Sequence, residues 1–259
     1  MERRDFIAVA AGSSLAATSA GASMPRQLFE MRKVRLRFGP METRYGDYAR
    51  DALIPALNRA GVKPVGAFTV MVGMDAPAVY LLLPHANADS IVAAGTRLAD
   101  DAEYRRAGAS FRALPAGDPP YVRRESSLML AFASMPSVDA PTGPLTAASR
   151  VFELRTYEGH SESATAKKIE MFEGGGEIAI FRRAGITPVF FGRDLVGPTV
   201  PSLTYMVVFP DLAAREKAWA AFGADPEWLK LRATPGLTNA DIVSNIRSVL
   251  LRPAAYSQM

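Results

Sequence analysis

The chain has 259 residues, enough for two domains of ordinary size, each with a core of its own. Hydrophobic residues make up 49% and charged residues 22%, a balance that excludes disordered and fibrous chains. The formal charge of +4 comes from Arg and Lys interleaved with acids, as in Arg215-Glu216-Lys217, which reads as a solvated surface with no nucleic-acid partner, and the absence of cysteine removes disulfides, thiolate nucleophiles, iron–sulfur clusters and Cys-ligated zinc.

The first residues read as an address. Arg3-Arg4 precede Phe6 and a mildly apolar run to Ala17, followed by the small-residue pattern Ala20-Gly21-Ala22. The order resembles a twin-arginine export signal, with Glu2 and Ala8 departing from the usual residues. Cleavage after Ala22 and a periplasmic or secreted mature protein are the expectation. No later apolar run has the length of a membrane span.

In the mature part, a strand over Leu28 to Leu36 leads to an amphipathic helix over about Glu42 to Ala60. Gly61 ends that helix as a left-handed cap. Two strands follow, Pro64 to Val72 and Val79 to Leu83, then a helix whose N-cap is Asn87, then a strand over about Tyr121 to Phe132. Ser134 to Ala148 carries Pro136, Pro141 and Pro144 and reads as an extended linker. The same series then returns: a strand over Val151 to Tyr157, a helix over about Glu162 to Ala184 ended by Gly185, strands over Val189 to Asp194 and Leu203 to Phe209, a helix capped by Asp211, and a last strand over Ile242 to Leu251.

The recurrence extends to residue identity. Phe29-Glu30-Met31-Arg32 returns as Phe152-Glu153-Leu154-Arg155, and Arg59-Ala60-Gly61 as Arg183-Ala184-Gly185. Tyr80 is matched to Tyr205 and Tyr104 to Trp228, with offsets of 123 to 125 throughout, so the chain is a duplication. The expected domains are a signal over 1–22, a first module over 27–132, a linker over 133–149 and a second module over 150–253. Each module has the order βαββαβ, the ferredoxin-like arrangement, with both helices on one face of a four-stranded sheet. The fold class is therefore α+β. Two bare apolar sheet faces in one chain should cover each other, closing an internal α/β-barrel pseudo-dimer.

On the strand Phe152-Glu153-Leu154-Arg155-Thr156-Tyr157, on Arg183-Ala184-Gly185 and on Leu203 to Phe209, the second copy resembles the NIPSNAP family of the dimeric α/β-barrel group. The likeness covers about Arg150 to Pro253 well and Gln27 to Phe132 more weakly. The first copy carries Lys33-Val34 where Thr156-Tyr157 stand, which puts any shared site there in doubt. The resemblance implies the fold and a pairing of modules, and brings no agreed reaction. Related barrels include monooxygenases, haem-handling enzymes and dechlorinases, so it implies a ligand cavity.

Glu153, Arg155 and Tyr157 alternate along one strand and share a face, gathering a carboxylate, a cation and a phenol. They read as ligand-binding and catalytic groups in a cavity of the second module, or as an ion-paired strand that fixes register. His160 follows that strand and reads as a general base or an axial haem ligand, or as a surface histidine between Gly159 and Ser161; His85 is a weaker candidate. Trp228 reads as a ligand-binding wall or, with Trp219 and Phe222, as core. Gly174-Gly175-Gly176 should break the long helix and open the cavity, or be a tolerated kink. Two separated histidines predict no metal site and no cofactor. The expectation is a small-molecule-binding protein, with a cofactor-independent monooxygenase or isomerase and an interaction scaffold as alternatives. A homodimer stays open, because a pseudo-dimer closes its own barrel.

Overall fold

The computed structural model describes residues 25–142 and 148–259. The expected export signal over 1–22 and part of the linker lie outside the described residues. The first half contains β1 (Leu28–Arg35), α1 (Pro40–Tyr48), a π-turn (Ala49–Leu53), α2 (Ile54–Arg59), β2 (Gly66–Val72), β3 (Ala78–His85), α3 (Ala88–Asp100), α4 (Ala102–Ala107), α5 (Ala109–Arg112) and β4 (Arg123–Ala131). The second contains β5 (Val151–Glu158), α6 (Glu162–Glu173), α7 (Glu177–Arg183), β6 (Thr187–Val196), β7 (Ser202–Phe209), α8 (Leu212–Ala224), α9 (Pro226–Arg232), α10 (Asn239–Ile242) and β8 (Asn245–Pro253).

Each half forms an antiparallel sheet with its first strand between its third and fourth, and the two sheets join through β2·β8 and β4·β6. The result is a closed eight-stranded barrel in the order β1-β3-β2-β8-β5-β7-β6-β4. Closure removes all sheet edges, which an open four-stranded module would leave unpaired. Along every strand the side chains alternate between two destinations. Phe29, Met31, Phe152 and Leu154 point into the barrel, while Val34, Leu81, Tyr157 and Tyr205 point outward beneath the helices.

The helices start and stop as the residue chemistry requires. Asn87 and Asp211 cap α3 and α8 by accepting from the amides of Ser90 and Ala214. Gly61 and Gly185 adopt φ of 91° and 85°, the left-handed conformation that ends the first long helix of each half. Duplication is visible even in surface ion pairs: Arg59 meets Asp101 and Glu103, as Arg183 meets Asp225 and Glu227.

The register corrects one sequence match. Arg32 lies opposite Leu81, and Arg155 lies opposite Tyr205. The counterpart of Tyr205 is therefore Leu81 and not Tyr80, whose counterpart is Thr204. A slip of one residue exchanges the faces of a strand, so Tyr80 enters the barrel while Tyr205 sits under the helices. The proline-containing connection also packs. Val138 and Ala140 reach the barrel core, and the amide of Asp139 donates to the Val189 carbonyl at 2.8 Å. Met259 of the C-terminal tail is buried in the same core.

Candidate functional site

The outer face of each sheet and the helices above it bound a space of their own in each half. In the second half that space is filled. Glu153 is fully buried and accepts from Arg155 Nη1 at 2.8 Å, Arg215 Nε at 2.7 Å, Trp219 Nε1 at 2.8 Å and Ser248 Oγ at 2.8 Å. Burial pushes its carboxyl up, but these donors together hold it below the usual carboxylate range. Arg155 stacks over Tyr157 and Trp219 at 5.6 and 4.9 Å and donates to the Tyr157 hydroxyl at 3.3 Å.

Beside this network Lys168 and Glu177 form a buried pair at 2.8 Å. The ammonium lies among the rings of Tyr157, Phe172 and Trp228, 4.7 to 5.3 Å from their centroids. Burial raises the Glu177 carboxyl above its ordinary value despite the cation. The pair exists because Gly174–Gly176 break the helix: Gly176 takes φ of 80°, and α7 restarts with Glu177 turned inward. The glycines therefore serve packing, and the opening expected from them is closed by this pair.

The structure thus brings Glu153, Arg155, Tyr157 and Trp228 together, but as the packed interior of a module. Trp228 stacks on Phe222 at 4.5 Å and belongs to the same core. A second-module pocket built from these groups is the expectation from sequence; here Arg155 donates to both Glu153 and Tyr157, and Trp228 packs among aromatic rings. His160 stands apart, exposed on the loop after β5, and does not complete a site with them. His85 is buried, with Nε2 3.6 Å from Glu30. Among the described residues no group of three or more His, Asp or Glu side chains is placed to hold a metal ion.

In the first half the corresponding space is open. Val34 stands where Tyr157 stands in the second half, and Leu81 where Tyr205 stands. Two smaller side chains leave a cleft of about 280 Å³ between the sheet and the helices. Aromatic groups line it. Tyr48 stacks on Phe111 at 4.1 Å, and its hydroxyl meets that of Tyr104 at 2.5 Å. Burial, followed by this bond, raises the Tyr48 phenol well above its ordinary value, so it stays neutral. Tyr45 and Tyr121 complete the wall.

Three guanidinium groups, Arg32, Arg112 and Arg124, line the same cleft, and no carboxylate does. Arg32 donates from Nε and Nη2 to Glu30 at 2.6 and 2.9 Å. Arg112 lies over the Tyr104 ring at 5.2 Å, and neither it nor Arg124 has a carboxylate partner among the described residues. Sequence reading singled out Tyr104 only as a match to Trp228. The available signal was the spacing of Tyr45 and Tyr48, one turn apart on α1, over an arginine duplicated as Arg155.

Fold and site define a single-chain α/β-barrel of two ferredoxin-like halves with an arginine- and tyrosine-lined cleft in the first. Residues 152–258, most of the second half of the chain, match the NIPSNAP family model. No curated protein matches the chain. A proposed monooxygenase from Lactobacillus acidophilus is similar in structure, at 10% identity and a TM-score of 0.58, over 88% of this chain and 94% of that one. One from Fusobacterium nucleatum aligns at 9% identity with a TM-score of 0.57, over 89% and 93%. A NIPSNAP-like domain protein from Burkholderia xenovorans is 21% identical over 44% of this chain and 92% of its own, with a TM-score of 0.39. At the identities of the first two, the likeness is one of fold.

Proposed function

We propose that this chain is a small-molecule-binding protein that takes a planar organic anion into the cleft of its first half. The observation that supports this most is the lining: three arginines, two without acidic partners, among four tyrosines and a phenylalanine, with no carboxylate. Guanidinium groups present fixed donors that match a carboxylate, and aromatic walls favour a flat apolar body. A volume of about 280 Å³ suits a ligand larger than a single ring. Export through the signal-like start of the sequence belongs to the same reading, and N-terminal sequencing of secreted protein tests it.

The test is calorimetric titration with 2-naphthoate, compared with the neutral 2-naphthylmethanol. The carboxylate should bind about tenfold more tightly, and Arg112→Gln with Arg124→Gln should remove that preference. Both arginines are exposed, so the variant should fold as the parent does. Equal affinity for the two probes, or loss of binding only in Arg155→Gln, would overturn the assignment to the first half. The barrel neighbours proposed as monooxygenases suggest a second use of the same pocket, and oxygen consumption in the presence of a bound ligand would establish turnover.

A further inference from the structure

The interior of the barrel is distinct from the spaces under the helices, and its two ends differ. At the end where β1 and β5 begin, Val138, Ala140 and Met259 pack onto Phe29, Phe68, Phe152 and Phe190 and close it. Toward the other end lies a cavity of about 130 Å³ between the two halves. Its inner wall is apolar, from Met31, Met129, Leu154 and Val249, and its outer part is polar.

That polar part is asymmetric because the two halves have diverged across the pseudo-twofold axis. The first half contributes Tyr80, Lys33 and Glu125, which lie side by side on β3, β1 and β4. The equivalent positions on β7, β5 and β8 are Thr204, Thr156 and Arg247. A dimer of identical chains would present two copies of one row. A fused chain can build one side to hold one end of a ligand.

Most charges around the cavity already have partners. Lys33 pairs with Glu125 at 2.9 Å and Asp75 at 3.4 Å, and Asp75 also accepts from the Tyr80 hydroxyl at 2.8 Å. Arg247 pairs with Glu158 at 2.9 Å. Asp194 is different. It is largely enclosed, its Oδ2 accepts from Ser202 Oγ at 2.8 Å and Thr204 Oγ1 at 2.9 Å, and no Lys or Arg pairs with it among the described residues. Its Oδ1 has no hydrogen-bond partner among the described residues. Burial pushes the carboxyl above its ordinary value, outweighing the hydrogen bonds from Ser202 and Thr204 and the more distant charge of Arg247.

We propose that this end of the barrel binds a small organic ammonium compound, its apolar body against Met31, Leu154 and Val249 and its cationic nitrogen on Asp194. A cavity of this volume accepts a body of about the size of benzene, since an engineered apolar cavity of about 150 Å³ binds benzene. The cation supplies the direct ion-pair partner that Asp194 lacks, and Ser202 and Thr204 fix the carboxylate so that Oδ1 is left for the ligand.

Titration of the whole chain with benzylamine, followed by NMR or calorimetry, tests this. Benzylamine should saturate in the micromolar to millimolar range, while benzoate at the same concentrations should not occupy this site. Asp194→Asn keeps an acceptor for Ser202 and Thr204, so it should fold, yet bind benzylamine about tenfold more weakly without losing affinity for benzyl alcohol. Val249→Phe fills the cavity from the apolar side and should abolish both. The double substitution of Arg112 and Arg124 should leave benzylamine binding unchanged, which separates this site from the cleft. Failure of benzylamine to saturate the folded parent chain, or unchanged affinity in Asp194→Asn, would overturn the proposal.

Discussion

Replacing Lys168 by Met should remove a large part of the stability of the second half while leaving its packing intact. Methionine keeps an apolar stem against the rings of Tyr157, Phe172 and Trp228 but leaves the Glu177 carboxyl, which is 1% exposed, with no cation. Breaking a buried pair from one side costs about 3–5 kcal/mol, against a total stability of about 5–15 kcal/mol for an ordinary domain. For a chain of this length that is a fall in Tm of roughly 6 to 20 °C. Both tryptophans, Trp219 and Trp228, lie in this half, so intrinsic fluorescence during urea unfolding follows it directly. Changing Glu177 to Leu in the same chain should restore most of the loss, because removing both charges removes the desolvation cost as well. The deficit of the single variant should also shrink in acid, since Glu177 then takes up a proton and needs no counter-charge. A single variant within about 1 kcal/mol of the parent at neutral pH would refute this account of the pair.

Two further outcomes follow from the geometry. Glu30 is pushed up by burial but held at about 2 by His85 and Arg32, against an ordinary 4.5, which contributes about 3 kcal/mol at neutral pH. A lowered carboxyl stabilises above its unfolded value and loses that contribution as the pH falls from 4.5 toward 2. The urea midpoint should therefore drop across this window more steeply in the parent than in Glu30→Gln, and parallel curves would show that Glu30 plays no such part. At the β4·β6 seam a Cβ on Gly192 would come 2.7 Å from the Cβ of Met129. Neither atom can rotate away, so Gly192→Ala should cost about 1–3 kcal/mol, read as a lower Tm, and an unchanged Tm would mean that the seam can relax.

Periodicity and punctuation in the chain were enough to specify two βαββαβ units, the glycine caps at Gly61 and Gly185 and the aspartate and asparagine caps, because each depends on residues within a turn or two of one another. The repeat also made a paired arrangement necessary, since each sheet has an apolar face that only another such face can cover. Sequence placed Glu153, Arg155 and Tyr157 correctly on one side of β5, a consequence of strand alternation. Whether that side met a cavity or a packed interior depended on Lys168, Glu177 and Tyr205, which arrive from other elements. The open space in the first half likewise depends on Val34 and Leu81 being smaller than their counterparts, and a volume difference becomes a cleft only once the helices are laid over the sheet. Tertiary structure alone decided which face Tyr80 and Tyr205 present, because a one-residue register difference is invisible in similarity but reverses every side chain on a strand. It also decided that Asp194, Ser202 and Thr204 share one enclosed corner of the barrel, since strands distant in sequence become neighbours only on closure.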